Sequence, residues 1–192
     1  PACITPSLFK EICAGDPRSK LFLTSDDHSE PHLVGSIVEQ LPKYASLKFR
    51  PYKGSINDGI TMAQAAYPLM RVEEMYLIQA EAIAHSSAAN GLKMLNTFMQ
   101  KYRTTNYDYP TQGVQKEVAI NEIVKQKRIE LWGEGQSFFD YKRLNMSVDR
   151  PQGEDAQYIP ANQQLSNAGN GRPAWMNLVF PQRNIMQYAW NS

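Results

Sequence analysis

Apolar residues recur with a helical period over residues 67–146 and lose that period on either side. Val72, Met75, Tyr76, Ala80 and Ile83 return every three or four positions, which predicts a helix over 67–85. Met70, Leu77 and Ala84 make a second apolar stripe, and a helix that is apolar on two sides packs between neighbours. Ser86-Ser87 breaks this helix and supplies a cap for the next, at 88–103. There Leu92, Leu95, Phe98, Met99 and Tyr102 form one apolar face, so the pair reads as a helical hairpin. A polar loop over 104–113 leads to a third helix at 114–132, built on Val118, Ile120, Ile123, Val124 and Leu131. Gly133 and Gly135 permit a sharp turn into a fourth helix at 136–145, on Phe138, Phe139 and Leu144. Two hairpins about forty residues apart fall near the period of tetratricopeptide-type repeats.

The flanks are less regular. Residues 1–65 form a lead-in: a short helix from Thr5-Pro6-Ser7 through Leu8, Phe9 and Ile12, stopped at Gly15-Asp16-Pro17, then short strands at 33–38 and 45–49. Residues 147–192 read as a long loop rich in Asn, Gln, Gly and Pro, a last strand at 175–180 and a tail. The expected architecture is therefore mainly α: one domain over 1–192, with tetratricopeptide-like helical hairpins stacked in the manner of an α-α superhelix, irregular loops and a few short β-strands.

Bulk properties exclude several classes. A chain of 192 residues, 42% hydrophobic and 20% charged, can bury a real core. A net charge of +1 gives no electrostatic case for nucleic acid or an anionic membrane surface. No apolar run is long enough to span a bilayer as a helix, and no signal peptide is visible. The start at Pro1-Ala2-Cys3, without an initiator methionine, reads as a fragment or a processed product. Cys3 and Cys13 fit a disulfide, free thiols or a reduced pair equally well, and make no metal site with His28, His32 and His85. No motif for a nucleophile elbow, phosphate loop, dinucleotide fold or zinc site is present, and no cofactor is implied.

The charges within the helices carry more information. Arg71 lies three residues before Glu74, and Glu81 lies seven after it on the same face. Arg128 falls on the apolar stripe of its helix, Glu134 is four after Glu130, and Asp140 is three before Arg143. Charges inside an apolar pattern cost stability unless they pair. One reading is a pair of carboxylates for glycoside hydrolysis, Glu74 with Glu81 or Glu130 with Glu134. Two acids on one helix face cannot flank a sugar bond from both sides, which disfavours it. The weightier reading is a structural ion-pair network of Arg71, Glu74, Glu81, Arg128, Glu130, Glu134, Asp140 and Arg143. Arg128 is expected to be its buried cation, set against Glu74, Glu81, Glu130 or Glu134. Aromatic residues in loops are the remaining candidates for ligand contact: Tyr107, Tyr109, Tyr158 and Trp175. For each alone, packing over the core outweighs that role, because rings carry large burial energy. Tyr76 and Trp132 lie on helices and are expected in the core.

The same segments carry a family resemblance. The run Pro68-Leu69-Met70-Arg71-Val72-Glu73-Glu74-Met75-Tyr76-Leu77-Ile78-Gln79-Ala80-Glu81-Ala82 resembles the most diagnostic helix of the SusD/RagB family. Arg128-Ile129-Glu130-Leu131 with Glu134-Gly135, Phe139-Asp140 and Lys142-Arg143 resembles its other signature. Thr5-Pro6 with Asp16-Pro17-Arg18, Lys48-Phe49, Leu95-Asn96 and Tyr102-Arg103 resemble further stretches. The closing Phe180-Pro181-Gln182-Arg183-Asn184-Ile185 resembles the family's ending, with Asn184 where an acid is usual. The chain is thus similar to the C-terminal part of that family. The resemblance implies a SusD-like fold and a non-catalytic, cell-surface lipoprotein, anchored to the extracellular face of the outer membrane through an N-terminal cysteine other than Cys3. It implies an oligosaccharide or polysaccharide ligand, a peptide in some members, and delivery to a SusC-like TonB-dependent transporter. Much of the family's binding surface lies upstream of the part seen here. A tetratricopeptide-like module that binds protein or peptide is the alternative.

Overall fold

Capping and apolar spacing set the helices that position everything else. The computed structural model describes residues 3–24, 41–49, 66–149, 155, 157 and 169–177. A short helix, α1, spans Pro6–Lys10, with proline at a first-turn position where its missing N–H costs nothing. The Asp155 carboxylate accepts from the Ser7 backbone N–H at 2.8 Å and closes that end. A 3-10 turn over Pro17–Leu21 is capped by Asp16, whose Oδ1 accepts from Arg18 N at 2.9 Å. The four long elements follow: α2 Val72–Ser86, α3 Ala88–Tyr102, α4 Lys116–Glu130 and α5 Gln136–Arg143. A second 3-10 turn spans Ala174–Met176.

Four helices were expected at these places, and four are found. The first begins later than its apolar pattern suggests. Pro68 disfavours helical geometry at the residue before it, and Arg71 is extended at φ −135°, ψ 144°. Ser87 ends α2 and caps α3 by accepting from Asn90 N at 3.4 Å, so the two helices fold back as a hairpin. α4 packs against both helices of that hairpin, mostly on α2. Leu77, Ala80, Ala84, Leu92, Leu95, Phe98, Met99, Ile120, Ile123 and Val124 make the shared core. A second cluster of Ile4, Leu8, Phe22, Tyr44 and Ile129 ties the lead-in to the end of α4, where Trp132 meets Phe22 edge to face at 5.3 Å. Gly133, at φ 77°, turns the chain toward α5, and a Cβ there would sit 2.6 Å from the Phe49 ring.

The strand expectations need correction. Residues 45–49 form no strand; Ala45 and Ser46 make single bridges to Cys3 and Phe22. Backbone bonds from Ile4 N to Tyr44 O and from Leu47 N to Leu21 O complete this irregular patch. Trp175 and Met176 lie in the 3-10 turn rather than a strand, because the Pro173 carbonyl accepts from Met176 N at 3.1 Å. The strand expected at 33–38 lies outside the described residues, as do 178–180. Cys3 and Cys13 are both free thiols. Among the described residues no helix is long and apolar enough to cross a membrane.

Candidate functional site

Glu122, Gln126 and Glu130 recur every four residues and are all buried on one face of α4. This polar seam organises the charges of the molecule. Glu130, the last residue of α4, is 4% exposed. Arg103, just past the end of α3, clasps its carboxylate with two bonds of 2.8 Å. Arg71 adds a bond of 2.9 Å to the carboxylate and one of 2.6 Å to the Glu130 carbonyl. Arg18 approaches from the lead-in at 3.4 Å. Burial alone would raise the Glu130 carboxyl, but the Arg103 bonds and the charges of Arg103, Arg18 and Arg71 outweigh it and hold the group below the usual carboxylate range.

The seam continues both ways. Toward its start, Arg18 pairs with Asp16 at 2.6 Å and donates to Gln126 Oε1 at 2.8 Å. Gln126 then donates to Glu122 at 3.0 Å, and Tyr107 OH donates to the same oxygen at 2.7 Å. Toward its end, Lys48 reaches the carbonyls of Glu130 and Trp132 at 3.0 and 2.9 Å and pairs with Glu134. The lysine and Arg71 thereby satisfy carbonyls that a helix C-terminus leaves unpaired. A second cluster joins α2, α4 and α5. Arg143 clasps Glu81 at 2.5 and 2.6 Å and Asp140 at 2.7 Å, and Lys127 donates to Asp140 at 3.1 Å.

Two members of the expected network sit elsewhere. Arg128 is half-buried and lies over the Tyr141 ring, 5.3 Å from its centroid; Lys127 is the buried cation of this turn. Four residues advance a helix by about 40° beyond a full turn, so the stripe through Ile120, Ile123 and Val124 drifts onto Lys127 and past Arg128. Glu74 makes no ion pair among the described residues, because Arg71 turns toward Glu130 and Glu134 instead. A difference in stability follows. Lys127→Ala leaves Asp140 with one cationic partner and an unbonded Oδ2, and is expected to cost about 2 kcal/mol. Arg128→Ala removes a half-exposed ring contact worth about 0.5–1 kcal/mol. Thermal melts of the two variants should differ by several degrees, with Lys127→Ala the lower; equal melts would refute this placement.

Charged groups in this arrangement fix helices to one another. Glu130 is held ionised, whereas a general acid needs a raised pKa. Asp16, Arg18, Lys48, Arg103, Glu122, Gln126 and Lys127 were not singled out by charge spacing, although four of them lie in segments quoted above for the resemblance. The family match bears on this. The model of the SusD family matches residues 40–184. The chain belongs to the SusD family. A solved SusD-like carbohydrate binding protein from Bacteroides vulgatus superposes with a TM-score of 0.63 at 20% sequence identity. The match covers 96% of this chain and 40% of that one, and at such identity it speaks for the fold alone. A comparison with curated proteins gives no match. In this SusD-family chain, segments more than 100 positions apart converge: Arg18 reaches Glu130 across 112 residues. Many of the charged signature letters thus belong to two buried clusters, one around Glu130 and one around Glu81 and Asp140.

Among the described residues no ring contact joins the loop aromatics Tyr107, Tyr109 and Trp175. Tyr107 is 7% exposed and spends its hydroxyl on Glu122. Tyr109 is half-buried, with its backbone N–H and carbonyl both bonded to the Asn96 side chain. Tyr158 lies outside the described residues. Trp175 is 58% exposed. Trp132 and Tyr76 are half-buried against other rings.

Proposed function

We propose that this chain is part of a glycan-binding subunit of an outer-membrane uptake system. The subunit captures an oligosaccharide or polysaccharide at the cell surface and passes it to a SusC-like TonB-dependent transporter. It stands on the extracellular face of the outer membrane, held by a lipid on a cysteine outside this chain, and performs no catalysis. The observation that carries the reading is the SusD-family match over 40–184, together with the buried network its signature residues build. A glycan is put before a peptide because the SusD-like protein of the same fold is described as carbohydrate binding, and the titration below decides between them. Because the chain spans 40% of that relative, the activity belongs to the whole protein. The test is to titrate the intact protein with a panel of oligosaccharides and to assay the same mixtures for new reducing ends. Saturable binding without new reducing ends is expected. Turnover would refute the reading, as would binding of none of the panel.

A second reading, a helical-repeat module for a protein or peptide, draws on Val72, Met75 and Ile78. These exposed apolar side chains recur every three residues along α2. Saturable binding of peptides by the intact protein, with no response to glycans, would favour it.

A further inference from the structure

Among the described residues most large exposed rings have a partner. Tyr67 stacks on Phe49 at 4.8 Å, and Phe138 and Phe139 pack edge to face at 5.6 Å. Tyr102 lies against Tyr76 at 5.7 Å and beneath the Lys101 ammonium at 5.0 Å. Trp175 is different: among the described residues it has no ring or cation partner, and 58% of it is exposed. An indole is the largest apolar side chain, so leaving it uncovered forgoes more burial energy than any other choice at that position.

Its exposure does not come from a loose end. Pro173 and Met176, on either side of it in the turn, are buried. The turn is also tied to the end of α5. Arg172 N donates to Asn145 Oδ1 at 3.0 Å, Arg172 Nη1 to the Lys142 carbonyl at 3.4 Å, and Gly171 N to Ser147 Oγ at 2.9 Å. Asn145 holds a left-handed conformation, φ 52°, to make that contact. The indole therefore stands on an anchored base, and little ordering remains to be done when something docks on it. Three residues before it, the exposed Arg172 guanidinium makes that one bond among the described residues.

We propose that Trp175 and Arg172 form a contact site for one sugar ring of a glycan. The apolar C–H face of a pyranose stacks on the indole, and the guanidinium donates to a ring hydroxyl. A flat apolar surface beside a few directed donors is what such a ligand recognises. This inference rests on the glycan-binding reading and adds a location to it. Nothing covalent is involved.

The test is calorimetric titration of the intact protein with maltohexaose, mannohexaose and xylohexaose, for the native form and for Trp175→Ala, Trp175→Phe and Arg172→Ala. For the hexaose that binds best, Trp175→Ala should weaken affinity about tenfold, since stacking of one ring is worth about that factor. Trp175→Phe should keep most of the affinity, and melting temperatures should be unchanged because the indole is exposed. Binding that survives Trp175→Ala undiminished would overturn this site and leave the glycan reading standing. Loss of affinity only alongside a lowered melting temperature, with no rescue by phenylalanine, would show a structural role and also overturn it. Failure of all three hexaoses to bind the native protein would remove the reading and the site together.

Discussion

Glu130→Ala is expected to lower the melting temperature by roughly 10 °C, the largest effect of any single substitution in the buried network. The carboxylate is 4% exposed and faces Arg103, Arg71 and Arg18. Removing it takes from three largely buried arginines the carboxylate they share, and deleting one partner of such a group costs about 3–5 kcal/mol. Arg18 keeps Asp16 at 2.6 Å and Arg71 keeps Glu134 at 3.2 Å, so the loss falls mainly on Arg103, whose remaining partner Glu73, at 3.3 Å, is more exposed. Replacing both partners, as in Glu130→Met with Arg103→Met, should recover part of the loss, because an apolar pair of similar size carries no stranded charge. A drop of under about 2 °C for Glu130→Ala would mean that the arginines re-pair or reach water.

The same group sets a pH signature. Folding lowers the Glu130 pKa, so the folded state binds the proton less readily than the unfolded chain does. Its contribution is complete above the ordinary carboxylate pKa of about 4.3 and is lost as the pH falls through the lower folded value. Glu130→Gln cannot titrate. The stability gap between native protein and Glu130→Gln should therefore be constant near neutrality and shrink below about pH 4. Chemical denaturation at several pH values reads this directly, and a gap that widens in acid would contradict the arginine clasp.

The helices were legible because their signals are local. Period, the Ser87 cap and the Gly133 turn each act within a few residues, so α2 to α5 follow from the chain alone. The start of α2 was misplaced because the apolar pattern runs through Leu69 and Met70, which stay exposed while Arg71 reaches toward α4. The network was legible in kind and less so in its pairs. Charge spacing along one helix finds Asp140 with Arg143, but Arg103 with Glu130 or Lys48 with Glu134 depends on how helices stack. Spacing of 122, 126 and 130 was the signal available for the seam, and three polar residues four apart within a buried helix are a pattern to look for. Which of the candidate rings stays exposed was hardest to see, because the exposure of a ring such as Trp175 is decided by the whole fold.

The hairpin that carries half the network depends on one missing side chain, and Gly91 offers a test in which two effects oppose each other. By helix propensity alone, Gly91→Ala within α3 should stabilise by about 1 kcal/mol. The packing predicts the reverse. A Cβ at this position would lie 2.5 Å from Ala84 Cβ, 2.7 Å from Ala84 Cα and 2.7 Å from the Ala80 carbonyl oxygen. Two of these three atoms are main-chain and cannot swing away as a flexible side-chain tip does. α2 and α3 must separate, and Leu77, Leu92 and Leu95, all fully buried, lose their fit. Overpacking costs about 1–3 kcal/mol and more where backbone must move, so Gly91→Ala should be a net loss and Gly91→Val should cost about 3 kcal/mol or more. The damage should reach the charges as well. α2 carries Glu81, Arg71 precedes it and Arg103 follows α3, so spreading the hairpin pulls Arg103 away from Arg71 at their shared partner, Glu130. The Gly91→Val loss should therefore be smaller when measured in a Glu130→Ala background than in the native protein, a coupling that a double-mutant cycle detects. A melting temperature raised by Gly91→Ala would show that propensity wins and that the helices have room to spare.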